Sequence, residues 1–385
     1  MDRKLKIGIT CYPTFGGSGV VATELGIALA NSGHEVHFIT NRLPVRLQKS
    51  LDADISFHGV NVLNYALFPH EPYTLALASK MAQVVDSYGL DLLHVHYAIP
   101  HAVSAHLAKE MLDGRFKVVT TLHGTDITLV GNDPSLHPIT RFAINNNDAV
   151  TAVSEWLRQE TIREFNPTID IDVIENSVDI EQFSPEVGRE WAGRHYCEEG
   201  LPNLIHVSNF RPVKKAPDVI RVFGKVLKHV PARLLMVGDG PDLPTAMQAA
   251  RELGVHDKVS FLGNREDVNF LMASSDILLM PSQSESFGLA ALEAMACETA
   301  VIASRTGGLP DLVRDGIDGY ICEQDDIDGM AARVVELLRN PARLTEMKQA
   351  ARTRAVDSYR VEIIMEKYLA LYDRVLSEKR NIALV

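Results

Sequence analysis

The segment Glu285-Ser286-Phe287-Gly288-Leu289-Ala290-Ala291-Leu292-Glu293 sets two carboxylates eight residues apart across a predicted strand-to-helix turn. An ionised carboxylate oxygen accepts more than one hydrogen bond, which suits the hydroxyls of a sugar. The amides of Phe287, Gly288 and Leu289 lie at the start of the predicted helix. Unpaired amides and the helix dipole make such a start fit for a phosphate. Upstream, SNFRPVKKAPD (Ser208 to Asp218) follows a predicted strand and gathers Arg211, Lys214 and Lys215. A guanidinium grips a diphosphate bidentately and an ammonium acts on it as a point charge. The formal net charge is -12, so a basic cluster at a strand end is selective rather than general. VGDGPD (Val237 to Asp242) and LGNRED (Leu262 to Asp267) follow other predicted strands. Each fits either a plain turn or the edge of a base or ribose site.

The N-terminal half offers a second anion candidate. Tyr12 to Gly26 reads YPTFGGSGVVATELG and contains G-x-G-x-x-A. A dinucleotide site requires those glycines directly after the strand, and an acidic residue about 20 positions later at the end of the next strand. Here five residues, Cys11 to Phe15, intervene before Gly16, and the second strand ends in Thr40-Asn41-Arg42. The NAD reading fails on both counts, and Arg42 leaves only a weak opening for NADP. What remains is a helix start where Gly16, Gly17 and Ser18 bring amides close to an anion. His94 and His96 share one face of a strand, but no third metal ligand lies near them in the sequence. The pairs Asp52/Asp54, Asp170/Asp172 and Asp326/Asp328 are scattered as expected by chance in an acidic chain. No metal is expected.

These residues need elements to hold them. Short apolar runs alternate with helical patterns from end to end. Strands are predicted at Leu5 to Thr10, Glu35 to Thr40, Leu92 to His96, Lys117 to Leu122, Ala149 to Val153 and Asp172 to Ile174. After a polar stretch from Asn176 to Pro202, read as a linker, they resume at Leu204 to Ser208, Arg233 to Val237, Val259 to Leu262, Ile277 to Met280, Ala300 to Ala303 and Gly319 to Cys322. Helices are predicted at Val20 to Asn31, Leu75 to Ser87, Ala102 to Leu112, Pro341 to Asp357 and Val361 to Lys379. Such alternation means parallel sheets covered on both faces, so the chain reads as α/β with two doubly wound halves. Ligands of these sheets bind at the carboxyl ends of strands, and the cleft between two halves is the default site.

Composition excludes several classes. Hydrophobic residues make up 46% and charged residues 23% of 385 residues, ordinary for a globular protein with a large core. The negative charge argues against nucleic acid or an anionic membrane as a general partner. The four cysteines show no C-x-x-C spacing, which fits idle thiols in a reducing compartment. Met1 to Lys4 leads straight into an apolar strand, so no secretory leader is expected, and a cytoplasmic location follows.

Taken together, the E-x7-E segment, the basic loop, GDGP and ENSVDIEQF (Glu175 to Phe183) resemble glycosyltransferase family 4. The resemblance implies the GT-B fold: two Rossmann-like domains, an interdomain cleft and a C-terminal helix that crosses back. Residues 1–180 with 361–385 would form the acceptor domain, and residues 200–360 the donor domain. It implies a retaining, metal-independent enzyme with Arg211 and Lys215 on the donor diphosphate, Glu285 on the donor sugar and Glu293 on the ribose. His123, in LHGTD at a strand end, would stand beside the reacting sugar. Asn209, Gly263, Gly17 and the amides of Phe287, Gly288 and Leu289 would complete the donor site. HVHYAIPHA (His94 to Ala102), VVTTLHGTDITLVGNDPSL (Val118 to Leu136) and RFAI (Arg141 to Ile144) resemble the bacillithiol-pathway branch of that family. That branch uses UDP-N-acetylglucosamine as donor and L-malate as acceptor. Gly16, Ser18, Tyr97, Thr121 and Arg141 are the acceptor candidates. The alternatives are a lipid or polysaccharide acceptor, or a UDP-sugar epimerase on the same fold. The predicted helix Leu75 to Ser87 carries only Lys80 as a cation, unlike a membrane-binding face. Oligomeric state is left open.

Overall fold

The computed structural model describes residues 3–13, 17–44, 46–47, 54–63, 70–189 and 200–378. The chain divides into two compact units, Met1–Asn176 with Val361–Val385, and Ser177–Arg360.

In chain order the first unit holds β1 (Lys6–Thr10), α1 (Gly17–Asn31), β2 (Glu35–Thr40), β3 (Ile55–Gly59), α2 (Tyr73–Tyr88), β4 (Leu92–His96), α3 (Val103–Met111) and β5 (Lys117–Leu122). α4 (Thr125–Thr128), α5 (His137–Asn145), β6 (Ala149–Ala152), α6 (Glu155–Phe165) and β7 (Ile171–Val173) follow. Among the described residues its strands pair in parallel in the order β3-β2-β1-β4-β5-β6-β7. The central strands are apolar because helices cover both faces; every residue of β4 is buried. β3 is an addition to the predicted strands. Its sequence ISFHG lacks an apolar run, and at the sheet edge none of its residues is fully buried. α1 starts three residues before the predicted Val20, at Gly17.

The second unit holds α7 (Pro185–Arg189), β8 (Asn203–Val207), α8 (Ala216–Val226), β9 (Arg233–Val237), α9 (Leu243–Glu252), β10 (Val259–Gly263) and α10 (Val268–Ala273). It continues with β11 (Ile277–Met280), α11 (Leu289–Ala296), β12 (Ala300–Ser304), α12 (Leu309–Leu312), β13 (Gly319–Cys322), α13 (Ile327–Arg339) and α14 (Pro341–Tyr359). Its sheet runs β10-β9-β8-β11-β12-β13, again parallel. The described part of the predicted linker is not free chain. The Arg352 guanidinium donates to the carbonyls of Phe183 and Ile180 at 2.7 and 2.9 Å, and Gly188 packs on Ala273. Those partners lie far off in sequence, so the polar stretch gave no sign of them.

The last helix, α15 (Val361–Ser377), belongs to the first unit. Ile364, Tyr368, Leu371, Tyr372 and Val375 form its buried stripe and join the core of β1, β2 and α1. The Tyr372 hydroxyl meets Nδ1 of fully buried His94 at 2.7 Å. Tyr372→Phe would leave that nitrogen unpartnered, at a cost of about 1–3 kcal/mol. A drop of that size in urea-unfolding stability, with turnover little changed, is the expected result.

In each sheet the chain reverses its direction of winding at one point: between β1 and β4 in the first, and between β8 and β11 in the second. Ligands of such sheets bind outside the carboxyl ends of the strands at this switch point.

Candidate functional site

The switch point of the second unit brings together the two loops singled out by their chemistry. Gln283 N–H donates to the Val213 carbonyl at 2.7 Å and ties the loop after β11 to the basic loop after β8. Lys214 Nζ donates to Glu285 Oε1 at 2.6 Å, and the Ser282 hydroxyl donates to the same oxygen at 2.9 Å. Glu285 is 8% exposed, so this is a buried charge held by a cation and a hydroxyl. Its main chain is fixed as well. The Gly308 amide donates to the Glu285 carbonyl at 3.0 Å. A Cβ on Gly307, whose φ is +56°, would stand 1.6 Å from that carbonyl oxygen. Gly288, at φ 99°, caps α11 and turns the chain so that the first amides of the helix face out of its N-terminus. The Phe287 side chain is buried against the Tyr359 ring. Glu293 lies one turn into α11, half-buried.

The two lysines part company. A 3₁₀ turn, Pro212–Lys214, followed by φ +54° at Lys215 sends their side chains to different partners. Lys215 Nζ pairs with Asp325 Oδ1 at 3.1 Å, while Lys214 reaches Glu285. Arg211 and Asn209 are exposed at the loop surface. The GDGP loop braces this loop from behind. Asp242 N–H donates to the Phe210 carbonyl at 2.9 Å, and a Cβ on Gly238 would stand 1.7 Å from the Ser208 carbonyl oxygen. Gly263 ends β10, and its carbonyl accepts from Gly238 at 2.8 Å. It therefore belongs to the same brace.

The switch point of the first unit carries the N-terminal candidates. α1 opens at exposed Gly17 with Ser18 half-buried; Gly16 lies outside the described residues. Tyr97 follows β4 at φ +87°, a conformation costing a non-glycine residue about 1–3 kcal/mol and found mostly at functional sites. Its hydroxyl lies by Ser18 and Thr125, and burial and the Asp126 carboxylate push its pKa up to about 12. Its ring packs on Tyr12 and His123, with centroids 5.3 and 5.2 Å away. His123 Nε2 lies 2.8 Å from His96 Nδ1, and burial holds the His123 pKa down to about 3. A neutral ring can stand beside developing positive charge, where an imidazolium would repel it. Thr121 is fully buried, and its hydroxyl meets His94, Thr151 and Tyr368. It lies in the interior of the first unit. Arg141 is exposed on α5. His94 and His96 stack 4.6 Å apart, and both His94 nitrogens are engaged by Tyr372 and Thr121. Among the described residues no three His, Cys, Asp or Glu side chains are grouped to hold a metal ion.

Comparison with known proteins gives these two sites a family. Residues 15–182 match the model of Glycosyltransferase Family 4, and residues 190–354 that of Glycosyl transferases group 1. Over 378 residues the chain is 47% identical to the N-acetyl-α-D-glucosaminyl L-malate synthase of Bacillus anthracis, covering 98% of this chain and 99% of that one. The chain belongs to glycosyltransferase family 4. A second family relative is the GDP-mannose-dependent α-(1-6)-phosphatidylinositol monomannoside mannosyltransferase of Mycolicibacterium smegmatis. It is 29% identical, over 75% of this chain and 79% of its own. Among solved structures, a glycosyltransferase of Rickettsia africae superposes with a TM-score of 0.80 at 22% identity, covering 98% of this chain and all of that one (100%). Anabaena HepE in complex with UDP and glucose gives 0.79 at 20% identity, over 96% of this chain and 99% of that one. These likenesses bear on the fold: two Rossmann-like parallel-sheet domains of the GT-B class.

Within this family member, sequence reasoning did not assign roles to Lys214, Ser282, His96 or Gly307. Lys214 was visible as one of three cations but not distinguishable from its neighbour. Nothing local marks Gly307, because its constraint comes from a carbonyl 22 residues earlier.

Proposed function

We propose that the chain moves N-acetylglucosamine from UDP-N-acetylglucosamine to the hydroxyl of L-malate with retention at the anomeric carbon, the first step toward bacillithiol. The observation that carries this reading is the 47% identity to the malate-using synthase across 98% of the chain. The site chemistry supports it. Malate presents two carboxylates and one hydroxyl, and needs cations and N–H donors. Arg141, the amides at Gly17 and Ser18, and the Ser18 and Tyr97 hydroxyls are of that kind. Gly16 and Thr121 remain candidates by resemblance, although Thr121 would act from the interior. Gly17 would also lend its amide to the donor phosphate.

On the donor side, Arg211, Lys215 and the amides of Phe287, Gly288 and Leu289 would hold the diphosphate, with Asn209 and Gly263 at its margin. Glu285 would bind the sugar and Glu293 the ribose. In the reaction the bond from the anomeric carbon to the β-phosphate oxygen breaks. The malate oxygen bonds on the same face, and the departing phosphate oxygen takes its proton. The protein's work is then positioning and stabilising the leaving diphosphate, each well-placed donor contributing about 3 kcal/mol. Neutral His123 would stand by the sugar. These protein cations would do a metal's work, so no metal is required in this reading.

The test is UDP release from UDP-N-acetylglucosamine with L-malate, other hydroxy acids, glycerol or a lipid acceptor, with and without EDTA. Malate-dependent release that survives EDTA is expected. Release on lipid but not malate would leave the family and remove the acceptor. Turnover of the donor to another UDP-sugar without any acid would point to an epimerase. Arg141→Ala is expected to raise the malate KM about 10–100-fold, the value of a charge-assisted hydrogen bond, with the donor KM little changed. An unchanged malate KM removes Arg141 from the acceptor site.

A further inference from the structure

Asp126 is 1% exposed, and its partners are amides rather than cations. Oδ2 accepts from Ala98 N–H at 2.9 Å, in the turn after β4. Oδ1 accepts from His123 N–H at 3.2 Å and Gly124 N–H at 2.9 Å, in the turn after β5. The first turn carries Tyr97 at φ +87°, and the second places His123 before Gly124 at φ +106°. The first is a conformation that a tyrosine rarely adopts, while glycine permits the second without strain. Three converging N–H donors require an acceptor-only group. An asparagine would turn its own NH₂ against one of them.

We propose that Asp126 is a positioning residue for the transfer reaction: its ionised carboxylate clamps the turn bearing Tyr97 to the turn bearing His123. The proposal rests on the functional reading above. Tyr97 stands on the acceptor side and His123 beside the donor sugar, so one clamp would set both reactants. Protonation removes acceptor capacity from one oxygen and loosens the clamp.

The groups facing this wall are Tyr12 from the loop after β1, Tyr97 and His101 after β4, His96 on β4 and His123 in the turn after β5. On α6, Glu155 and Arg158 pair with each other at 2.7 Å; on α5, Arg141 is exposed and His137 meets the Glu164 carbonyl. Burial holds His123 at about 3, His101 at about 4 and His96 well below its usual value, so these rings stay neutral. Burial raises Asp126 to about 6, against the pull of its amides. Its folded-state value thus lies above the unfolded one. Proton uptake on falling through about 6 therefore favours the folded state, and an acid loss of turnover from this group is not an unfolding limb.

The experiment follows UDP release from UDP-N-acetylglucosamine, with malate and with water alone, from about pH 8 to about pH 5. Wild-type kcat should fall about tenfold per pH unit below about 6, with the donor KM and the melting temperature steady. Asp126→Asn should lower kcat at neutral pH by about 30-fold and abolish the acid limb, and Asp126→Glu should restore a limb at a shifted position. A wild-type profile flat to about pH 5 overturns the proposal whatever the variants do. So does an Asn variant within about twofold of wild type, or one that keeps the limb. Should Asn fail to fold, an unmoved limb in Asp126→Glu overturns it equally. If malate does not speed UDP release, the acceptor reading fails, while the limb in water-dependent release still decides the clamp.

Discussion

Glu285→Gln is expected to lower kcat about 100–1000-fold, the range found when one well-placed electrostatic group is removed from a reacting centre. Glutamine keeps the volume and one carbonyl acceptor, so Ser282 retains a partner. The charge is lost, however, and the Lys214 ammonium now 2.6 Å from Oε1 is left unneutralised. Two effects follow. On the proposed reading the sugar would lose its ionised acceptor, and an uncompensated cation would remain among the groups proposed for the diphosphate. UDP affinity by calorimetry should hold or tighten, because one more net positive charge faces the phosphates. The far-ultraviolet spectrum should be unchanged. A variant with wild-type kcat would remove Glu285 from the reaction.

Gly307→Ala is expected to abolish transfer by another route. The added Cβ would stand 1.6 Å from the Glu285 carbonyl oxygen, and alanine would also have to take φ +56°. The left-handed conformation alone costs about 1–2 kcal/mol. The overlap is with main chain, which cannot rotate aside, so the loop after β11 has to move. Glu285, Ser282 and the start of α11 move with it. Loss of activity comparable to Glu285→Gln is expected, together with a lowered melting temperature, which Glu285→Gln should not show. Activity and melting temperature together therefore separate the two mechanisms. A fully active Gly307→Ala would mean that this close approach has no part in placing Glu285.

What was legible in the sequence follows from local rules. Apolar runs with period-breaking loops specify buried parallel strands, and β4 and β11, buried throughout, were visible for that reason. The edge strand β3 was not, because exposure removes the apolar signal. The helix at Val361 was legible as one of two long helical patterns that close the chain, and its place in the first unit goes with five buried residues on one face. At the candidate site, residue type and strand-end position were enough to single out Arg211, Lys214, Lys215, Glu285 and Glu293 as one constellation. Composition could not say which lysine meets which carboxylate. The chain turns at Lys215, φ +54°, and the structure pairs Lys214 with Glu285 and Lys215 with Asp325. The same holds for Gly307 against Glu285 and for Asp126 between two strand ends. Sequence alone determined the buried strands, the long closing helices and the chemical inventory, since these depend on neighbours along the chain. Only the tertiary structure decided the pairings, because they depend on main-chain atoms brought together by sheet order.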